Sequence, residues 1–198
     1  MKKIFTIGHS THTTDEFLRM LQLHSITAVA DVRSSPYSRF NPQFNRETLE
    51  KELKACRIAY VYIGDCLGPR SDDSACYINE KAAYSLIAKT TFFRQGIDRL
   101  KKGMTDHTIA LMCSEKDPVS CHRMILVCRH LKAHDLEIVH ILEDGSLETN
   151  EAAEKRLMAQ LKIPEIELFA TPDELIERAY NIQADKIAYR LTEPIGSE

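Results

Sequence analysis

The sequence predicts an α/β fold: an open, mostly parallel sheet of about five strands with helices on both faces and a helical C-terminal tail. Two observations lead to this prediction. Short apolar, β-prone runs alternate with segments that carry apolar residues at helical spacing, and such alternation is typical of parallel crossover units. The length of 198 residues, with 43% hydrophobic and 28% charged residues, suits one compact domain.

The strands are predicted from the apolar runs between polar loops. The second run, 26–32, is nearly continuous in apolar residues, as expected for a parallel strand that is covered on both faces. The five predicted strands are 3–8, 26–32, 59–63, 107–112 and 137–142.

The helices are predicted from apolar spacing and from start signals. The first begins at a capping box, Thr13-Thr-Asp-Glu16. Further helices are predicted over 46–56, 78–88, 91–102, 121–134 and 150–161, with a last one starting at Thr171 and a loop over 64–77. We expect an α/β domain over 1–145 and a helical extension over 146–198 that packs on the same domain.

Composition limits the cellular setting. No apolar stretch approaches the ~20 residues of a membrane span, and the first residues are too polar for a signal peptide. Six cysteines lack the dense spacing of a disulfide scaffold. These features predict a cytoplasmic protein with reduced thiols and no membrane partner. The net charge of -3 gives no global signal for nucleic acid, so any such contact would be local.

The segment 108–123 carries the densest set of chemically active side chains. An apolar strand ends at Cys113, and after a polar loop a helix begins with Cys121, His122 and Arg123. The first amides of a helix have no intrahelical partner, and the helix dipole favours negative charge there. The segment therefore predicts a site for an anion, with Arg123 as its main anchor. Alternatively, Arg123 is a structural residue clamped on a carboxylate, Glu115 or Asp31.

The two thiols and the imidazole leave three chemistries open. Cys113 or Cys121 could be a nucleophilic or redox cysteine, because thiolates are stabilised at helix N-termini and beside cationic groups. The same residues with His122 could hold a soft metal, or the segment could bind an anion only. Zinc is possible, although it would need a fourth ligand or an open position. The sequence requires no cofactor. In each case we expect Cys113 and Cys121 to lie close together.

Polar residues also follow the other predicted strands. In a parallel sheet these loops share the carboxyl edge, where open α/β folds bind ligands. We expect 8–10, 31–36, 64–70 and 113–123 to share that edge. The candidate acid/base and catalytic residues are Asp31, Cys113, Glu115, Cys121 and His122, and the candidate ligand-binding residues beside Arg123 are His9, Ser10, Arg33, Tyr37 and Ser38.

Several ordered motifs resemble one protein family. They are Thr6-Ile-Gly-His-Ser10, Asp31-Val-Arg-Ser-Ser-Pro36-Tyr-Ser38, Leu67-Gly68, Leu111-Met-Cys113-Ser-Glu115 and Cys121-His-Arg123. Over about residues 1–145 they resemble the domain-of-unknown-function family 488, DUF488. The resemblance implies an α/β fold in which these motifs cluster, and it implies no established reaction. Where many relatives carry Leu-Gly-Gly, this chain has Leu67-Gly68-Pro69, which predicts a stiffer loop.

Three functions are consistent with these residues. The first is an enzyme that acts on an anionic, nucleotide-like or nucleic-acid-derived ligand at the carboxyl edge. The second is a non-catalytic nucleotide- or nucleic-acid-binding module that uses the cations and aromatic residues of the loop 33–46. The third is a thiol-dependent, rhodanese-like transferase. It is the least favoured, because those folds carry arginine five residues after the cysteine, whereas Cys113 and Arg123 are ten apart.

Overall fold

A computed structural model describes residues 2–134 and 136–191. The end of the predicted tail, 192–198, lies outside the described residues. The strands are β1 (Lys2–Gly8), β2 (Ala28–Asp31), β3 (Ala59–Tyr62), β4 (Tyr77–Ile78), β5 (Lys81–Ala82), β6 (Ile109–Cys113), β7 (Leu136–Ile141) and β8 (Leu147–Thr149). The helices are α1 (Thr14–Leu23), α2 (Arg46–Ala55), α3 (Gly64–Leu67), α4 (Tyr84–Ile87), α5 (Thr91–Gly103), α6 (Arg129–Leu131), α7 (Asn150–Gln160) and α8 (Pro172–Ile187).

The main sheet confirms the predicted α/β class. Its order is β3-β2-β6-β1-β7-β8, and every pair except β7–β8 is parallel. It has one strand more than predicted, because β8 folds back along β7. The turn between them contains Gly145 with a φ of 83°, a conformation that costs glycine little.

Each face of the sheet has its own core, so the predicted helices on both faces are confirmed. Ala110 and Met112 of β6 face the core that α1 and α2 cover. Leu111 and Cys113 point the opposite way, towards α5, α7, α8 and the helical segment after β6. This alternation follows from the two-residue period of a strand. The C-terminal helices share this second core through Leu157 of α7 and Tyr180 of α8, among others.

The predicted helix over 78–88 is wrong in its first half. β4 and β5 form an antiparallel hairpin instead, with Asn79 and Glu80 at φ values of 49° and 62° in its turn. Asparagine adopts this left-handed conformation more readily than most residues. Only Tyr84–Ile87 is helical. The apolar residues of this stretch have helical spacing in the sequence, but two consecutive left-handed residues cannot be part of a right-handed helix.

Two further segments differ from prediction. The predicted loop 64–77 contains the short helix α3 and the first residue of β4. The predicted helix 121–134 begins as a π-helical segment, Arg123–Cys128, all six residues of which are buried, and continues into α6 and a 3₁₀ turn, Lys132–His134. Wide turns of this kind occur frequently at functional sites.

The connections make β6 a topological switch point of the sheet. The helices that follow β1 and β2 cover one face, whereas the helix that follows β6 covers the other. β6 lies between β1 and β2, so its connection diverges from those of both neighbours. Such switch points are where open α/β sheets bind ligands. Within the described residues, no helix combines the length and apolar composition needed to cross a membrane.

Candidate functional site

The loops after β1, β2 and β6 are joined by backbone hydrogen bonds at the carboxyl edge. The amide of His9 donates to the carbonyl of Cys113 at 2.9 Å, and the amide of Val32 donates to the carbonyl of Met112 at 3.1 Å. Since β3 is parallel to β2, the loop after β3 leaves from the same edge. The prediction that these loops share one edge is therefore confirmed.

The close approach of the loops after β1 and β6 depends on Gly8. A Cβ atom at this position would lie 1.9 Å from the carbonyl oxygen of Glu115, and no rotamer change could relieve that contact with backbone. Ser10, with a φ of 47°, then turns the chain, and its amide donates to the carbonyl of Ser114 at 2.9 Å. The Gly-His-Ser segment thus fixes the loop that carries Glu115.

Four candidate residues form one cluster at this switch point. Oε2 of Glu115 accepts hydrogen bonds from Sγ of Cys113 at 2.9 Å and from Sγ of Cys121 at 3.0 Å. Nδ1 of His122 lies 3.4 Å from the first sulfur and 4.0 Å from the second. The prediction that the two thiols lie close together is confirmed, and both are free.

His122 is held in one tautomer. Its Nε2 lies 2.9 Å from the carbonyl oxygen of Val32, which can only accept, so Nε2 carries the proton and donates it. In the neutral ring Nδ1 therefore presents a lone pair towards the two sulfurs. Orientation of one ring nitrogen by a backbone carbonyl is a common arrangement for histidines that bind metals through the other.

Burial and mutual hydrogen bonding set the ionisation of the cluster. Burial raises the pKa of the Cys121 thiol well above its usual value. Burial also opposes ionisation of Glu115, but hydrogen bonds from both thiols lower the pKa of that carboxyl. For His122, burial favours the neutral ring, whereas the hydrogen bond with Cys121 and the charge of Glu115 raise its pKa. The cluster thus favours a carboxylate at Glu115 beside a neutral thiol at Cys121.

The cluster has the donor atoms of a metal site. One sulfur from each cysteine, Nδ1 of His122 and a carboxylate oxygen of Glu115 all lie within 4.8 Å of one another. In a tetrahedral zinc site with Zn–S bonds of about 2.3 Å, neighbouring ligand atoms are about 3.3–3.8 Å apart. Three of these residues were metal candidates from the sequence, whereas Glu115 was interpreted as an acid/base.

Arg123 lies beneath the cluster and contacts backbone. Its Nη1 donates to the carbonyl of Glu115, its Nη2 donates to the carbonyl of Lys116 at 2.9 Å, and the side chain is fully buried. This geometry favours the structural alternative over the anion anchor. The clamp differs from the expected one, because the acceptors are carbonyls and not the carboxylates of Glu115 or Asp31.

Asp31 and Arg33 form a buried ion pair next to the cluster. Nη2 of Arg33 lies 2.6 Å from one carboxylate oxygen of Asp31, and Nε donates to the other at 2.9 Å. Nη2 also donates to the carbonyl of Phe44 at 2.9 Å, and Nη1 donates to Nε2 of His9 at 3.2 Å. Although burial opposes it, the hydrogen bond with Asp31 raises the pKa of Arg33. Most of the guanidinium donors are thus engaged within the protein.

Two aromatic residues complete this group: Tyr60, which the sequence did not single out, and Phe44 of the loop 33–46. The hydroxyl of Tyr60 donates to Asp31 at 2.8 Å. The ring of Phe44 stacks on His9, with a centroid distance of 4.3 Å. Tyr60 pairs with Val29 in the parallel register of β3 and β2, so a pairing of those two strands would have pointed to it. The contact of Phe44 follows from the path of a loop and has no local signal.

Tyr37 and Ser38 lie in the loop 33–46 and are not part of the cluster. The hydroxyl of Tyr37 donates to Glu47 at 2.8 Å, and Oγ of Ser38 accepts from the amides of Phe40 and Asn41 within a turn. Tyr37 is 54% exposed and Phe40 is 90% exposed. This loop therefore presents aromatic side chains to solvent.

A cleft of about 780 Å³ opens along the same edge, after β2 and β3. It begins at Ser34 and Ser35, which follow Arg33 directly, and extends to the start of α5. Its size lies within the range of small-molecule sites. Other residues that line it are Tyr62, Gly64, Asp65, Cys66, Gly68, Arg70, Ser71, Asp72, Asp73, Ile87, Lys89, Thr90, Thr91 and Phe92, so it carries both cations and carboxylates.

The lowered pKa values of two buried histidines predict how the free energy of unfolding depends on pH. Burial and the nearby charge of Arg33 lower the pKa of His9 to about 4, and burial and the charge of Arg123 lower that of His140 to about 3. The unfolded chain therefore binds more protons than the folded one as the pH falls below about 6.5. We expect these two rings to contribute a loss of about 3 kcal/mol in urea unfolding between pH 6.5 and 5, offset in part by His122, whose raised pKa has the opposite effect. A constant free energy of unfolding over that interval would contradict the neutral assignment of both rings.

Comparison with known proteins identifies the family. The model described as Domain of unknown function DUF488 matches residues 13–129. No curated protein and no solved structure matches the chain. The matched residues include Asp31, Arg33 and the whole cluster, whereas His9 and Ser10 precede them. Because the match covers more than half of its residues, the chain belongs to the DUF488 family.

Proposed function

We propose that this chain is a metal-dependent enzyme whose centre is a divalent transition metal, such as zinc, held by Cys113, Cys121, His122 and Glu115. The observation that carries the proposal is the convergence of these four donor atoms within 4.8 Å. They come from the end of a strand, a loop and the start of a helix. Two sulfurs with one imidazole are donors that suit zinc and other soft divalent metals.

The burial of the four donors indicates which ligand of the metal would be replaced by water or substrate. Cys113, Cys121 and His122 are buried, whereas Glu115 is exposed as a residue and lies on a loop. Catalytic zinc sites keep one position for water or substrate, and structural sites are closed by four protein ligands. We therefore propose that the three buried residues hold the metal and that Glu115 leaves when a ligand arrives.

The proposed substrate is an anionic, nucleotide-like or nucleic-acid-derived molecule. A bound metal would act as a Lewis acid on an anionic group that replaces Glu115 at the cluster. The body of the substrate would extend along the cleft past the hydroxyls of Ser34 and Ser35 and the ring of Phe92. Because the cleft also carries carboxylates beside Arg70 and Lys89, the anionic group would be bound at the metal and the less charged part in the cleft. The cluster lies at the switch point of the sheet, where open α/β folds bind ligands, and this position supports a substrate site there.

A thiol-dependent reaction is the second candidate. Nδ1 of His122 lies 3.4 Å from Sγ of Cys113 and is placed to take its proton. Cys113 would be the nucleophile, because its sulfur lies closer to Nδ1 of His122 than that of Cys121 does, at 3.4 Å against 4.0 Å. The non-catalytic alternative, a nucleic-acid-binding module, is supported only by the exposed rings of Tyr37 and Phe40 beside the cations of their loop.

Metal analysis tests the proposal. Protein produced with zinc and then dialysed should retain about one zinc per chain, and cobalt substitution should produce sulfur-to-cobalt charge-transfer absorption. Protein that stays metal-free after zinc and cobalt loading would contradict the proposal. Rapid alkylation of Cys113 by iodoacetamide in that metal-free protein would then favour the thiol reaction.

A further inference from the structure

A group of buried polar side chains lies beneath the cluster and is not used by the proposed function. Thr6 on β1, His140 on β7, and Asn150 and Glu154 on α7 are all buried. Polar groups in such positions are costly unless they are hydrogen-bonded. Hydrogen bonds link the four side chains one after another, and the series begins at Arg123.

The hydrogen bonds of this group form a continuous chain, here called the buried relay. Nε of Arg123 donates to Oγ1 of Thr6 at 3.3 Å, and the same oxygen lies 2.9 Å from Nδ1 of His140. Nε2 of His140 lies 3.3 Å from Oδ1 of Asn150, whose Nδ2 donates to Oε1 of Glu154 at 2.9 Å. The relay thus connects a guanidinium to a carboxylate across two strands, β1 and β7, and two helical segments, Arg123–Cys128 and α7.

The chemistry of the groups fixes the direction of every bond. Because Oγ1 of Thr6 accepts from Arg123, its one hydrogen goes to Nδ1 of His140. Nε2 of His140 then carries the ring proton and donates it to the amide oxygen of Asn150. This assignment needs a neutral ring, and burial together with the charge of Arg123 lowers the pKa of His140 to about 3.

Both ends of the relay are fixed. At the far end, Glu154 also accepts from the hydroxyl of Tyr180 on α8 at 2.9 Å and from Nζ of Lys132 at 3.1 Å. At the near end, the remaining nitrogens of Arg123 hold the carbonyls of Glu115 and Lys116. A rigid Arg123 therefore determines where the backbone of Glu115 lies.

We infer that the buried relay is a positioning device that holds Glu115 at the cluster, and that parts of the chain outside the family match complete the site. Thr6, His140, Asn150 and Glu154 all fall outside the matched residues 13–129. The role in metal binding rests on the proposed function, whereas the role in fixing the loop of Glu115 does not. Zinc affinity tests the role in metal binding, and amide hydrogen exchange tests the role in fixing the loop.

The test removes one hydroxyl at the centre of the relay. Thr6→Val keeps the shape of the side chain but leaves Nε of Arg123 and Nδ1 of His140 without a partner. We expect about 10-fold weaker zinc binding by competition with a chromophoric chelator, the lower end of the effect of groups behind a ligand. Faster amide hydrogen exchange is expected in peptides that cover 113–118. The matched control is Thr27→Val, which removes a hydroxyl that accepts from the amide of Thr108 at the opposite, amino edge of the sheet.

The outcomes are distinct. The control should lower the melting temperature yet leave zinc affinity and exchange of 113–118 unchanged. In a Glu115→Ala background, Thr6→Val should change zinc affinity by less than about 2-fold, because the positioned ligand is gone. An equal loss in both backgrounds, or unchanged exchange in Thr6→Val, would overturn the inference. If the wild-type protein binds no zinc, the proposed function fails, and the exchange data alone decide whether the relay fixes the loop.

Discussion

Cys121→Ser is expected to weaken zinc binding by more than about 100-fold. Changes behind a metal ligand already cost about 10- to 100-fold, and this change removes a sulfur ligand itself. The effect should exceed that of Glu115→Ala, because Glu115 is the exposed member of the cluster. Affinities are measured by competition with a chelator at constant pH, since thiol ligands lose a proton on binding.

Cys128→Ser is the matched control for this prediction. Cys128 ends the helical segment Arg123–Cys128 that follows Cys121, and it is fully buried but not part of the cluster. It should lose stability and keep zinc affinity within about 2-fold. Equal zinc affinity of Cys121→Ser and Cys128→Ser would mean that the metal, where bound, is held elsewhere.

Asp31→Asn is expected to lower the free energy of unfolding by about 3–5 kcal/mol. The side chains of Asp31 and Arg33 are 0% and 4% exposed, so loss of the carboxylate charge leaves a buried guanidinium without its counter-charge. The hydroxyl of Tyr60 also loses part of its acceptor. Urea denaturation at neutral pH measures the change.

The exposed pair of Lys3 and Glu137 serves as the control. These side chains are 3.0 Å apart and about two-fifths exposed, so Lys3→Gln should cost less than about 1 kcal/mol. If Asp31→Asn were as mild as Lys3→Gln, Asp31 and Arg33 would not be a structural pair. Arg33 would then be available to bind an anionic ligand, as the sequence alone suggested.

The cluster could be predicted from the sequence because its parts are local. Cys113 ends an apolar strand and Cys121 begins the next helix, so a short loop must bring them together. The same loop carries Glu115, whose position next to both sulfurs depends on a backbone turn. The sequence therefore indicated Glu115 as an acid/base candidate, but it did not indicate that Glu115 lies among the metal donors.

The relay and the support of Arg123 could not be predicted, because their contacts connect strands distant in sequence. Thr6 and His140 meet only because β1 and β7 are neighbours in the sheet, in a register that places them opposite each other. The one usable signal was a polar residue inside an apolar strand, as at His140. The sequence favoured Arg123 as an anion anchor because it lies at the start of a predicted helix. The carbonyls of Glu115 and Lys116 that it binds instead leave no signal in the sequence.

X-ray absorption at the zinc edge tests the central claim most directly. We expect the bound zinc to have about two sulfur neighbours at about 2.3 Å. Lighter N/O neighbours at about 2.0–2.2 Å should come from His122 and from Glu115 or the group that replaces it. In Cys113→Ser one of the two sulfur contributions should disappear. A first shell made only of nitrogen and oxygen, or a wild-type spectrum unchanged by Cys113→Ser, would contradict a metal centre at the carboxyl edge of β6.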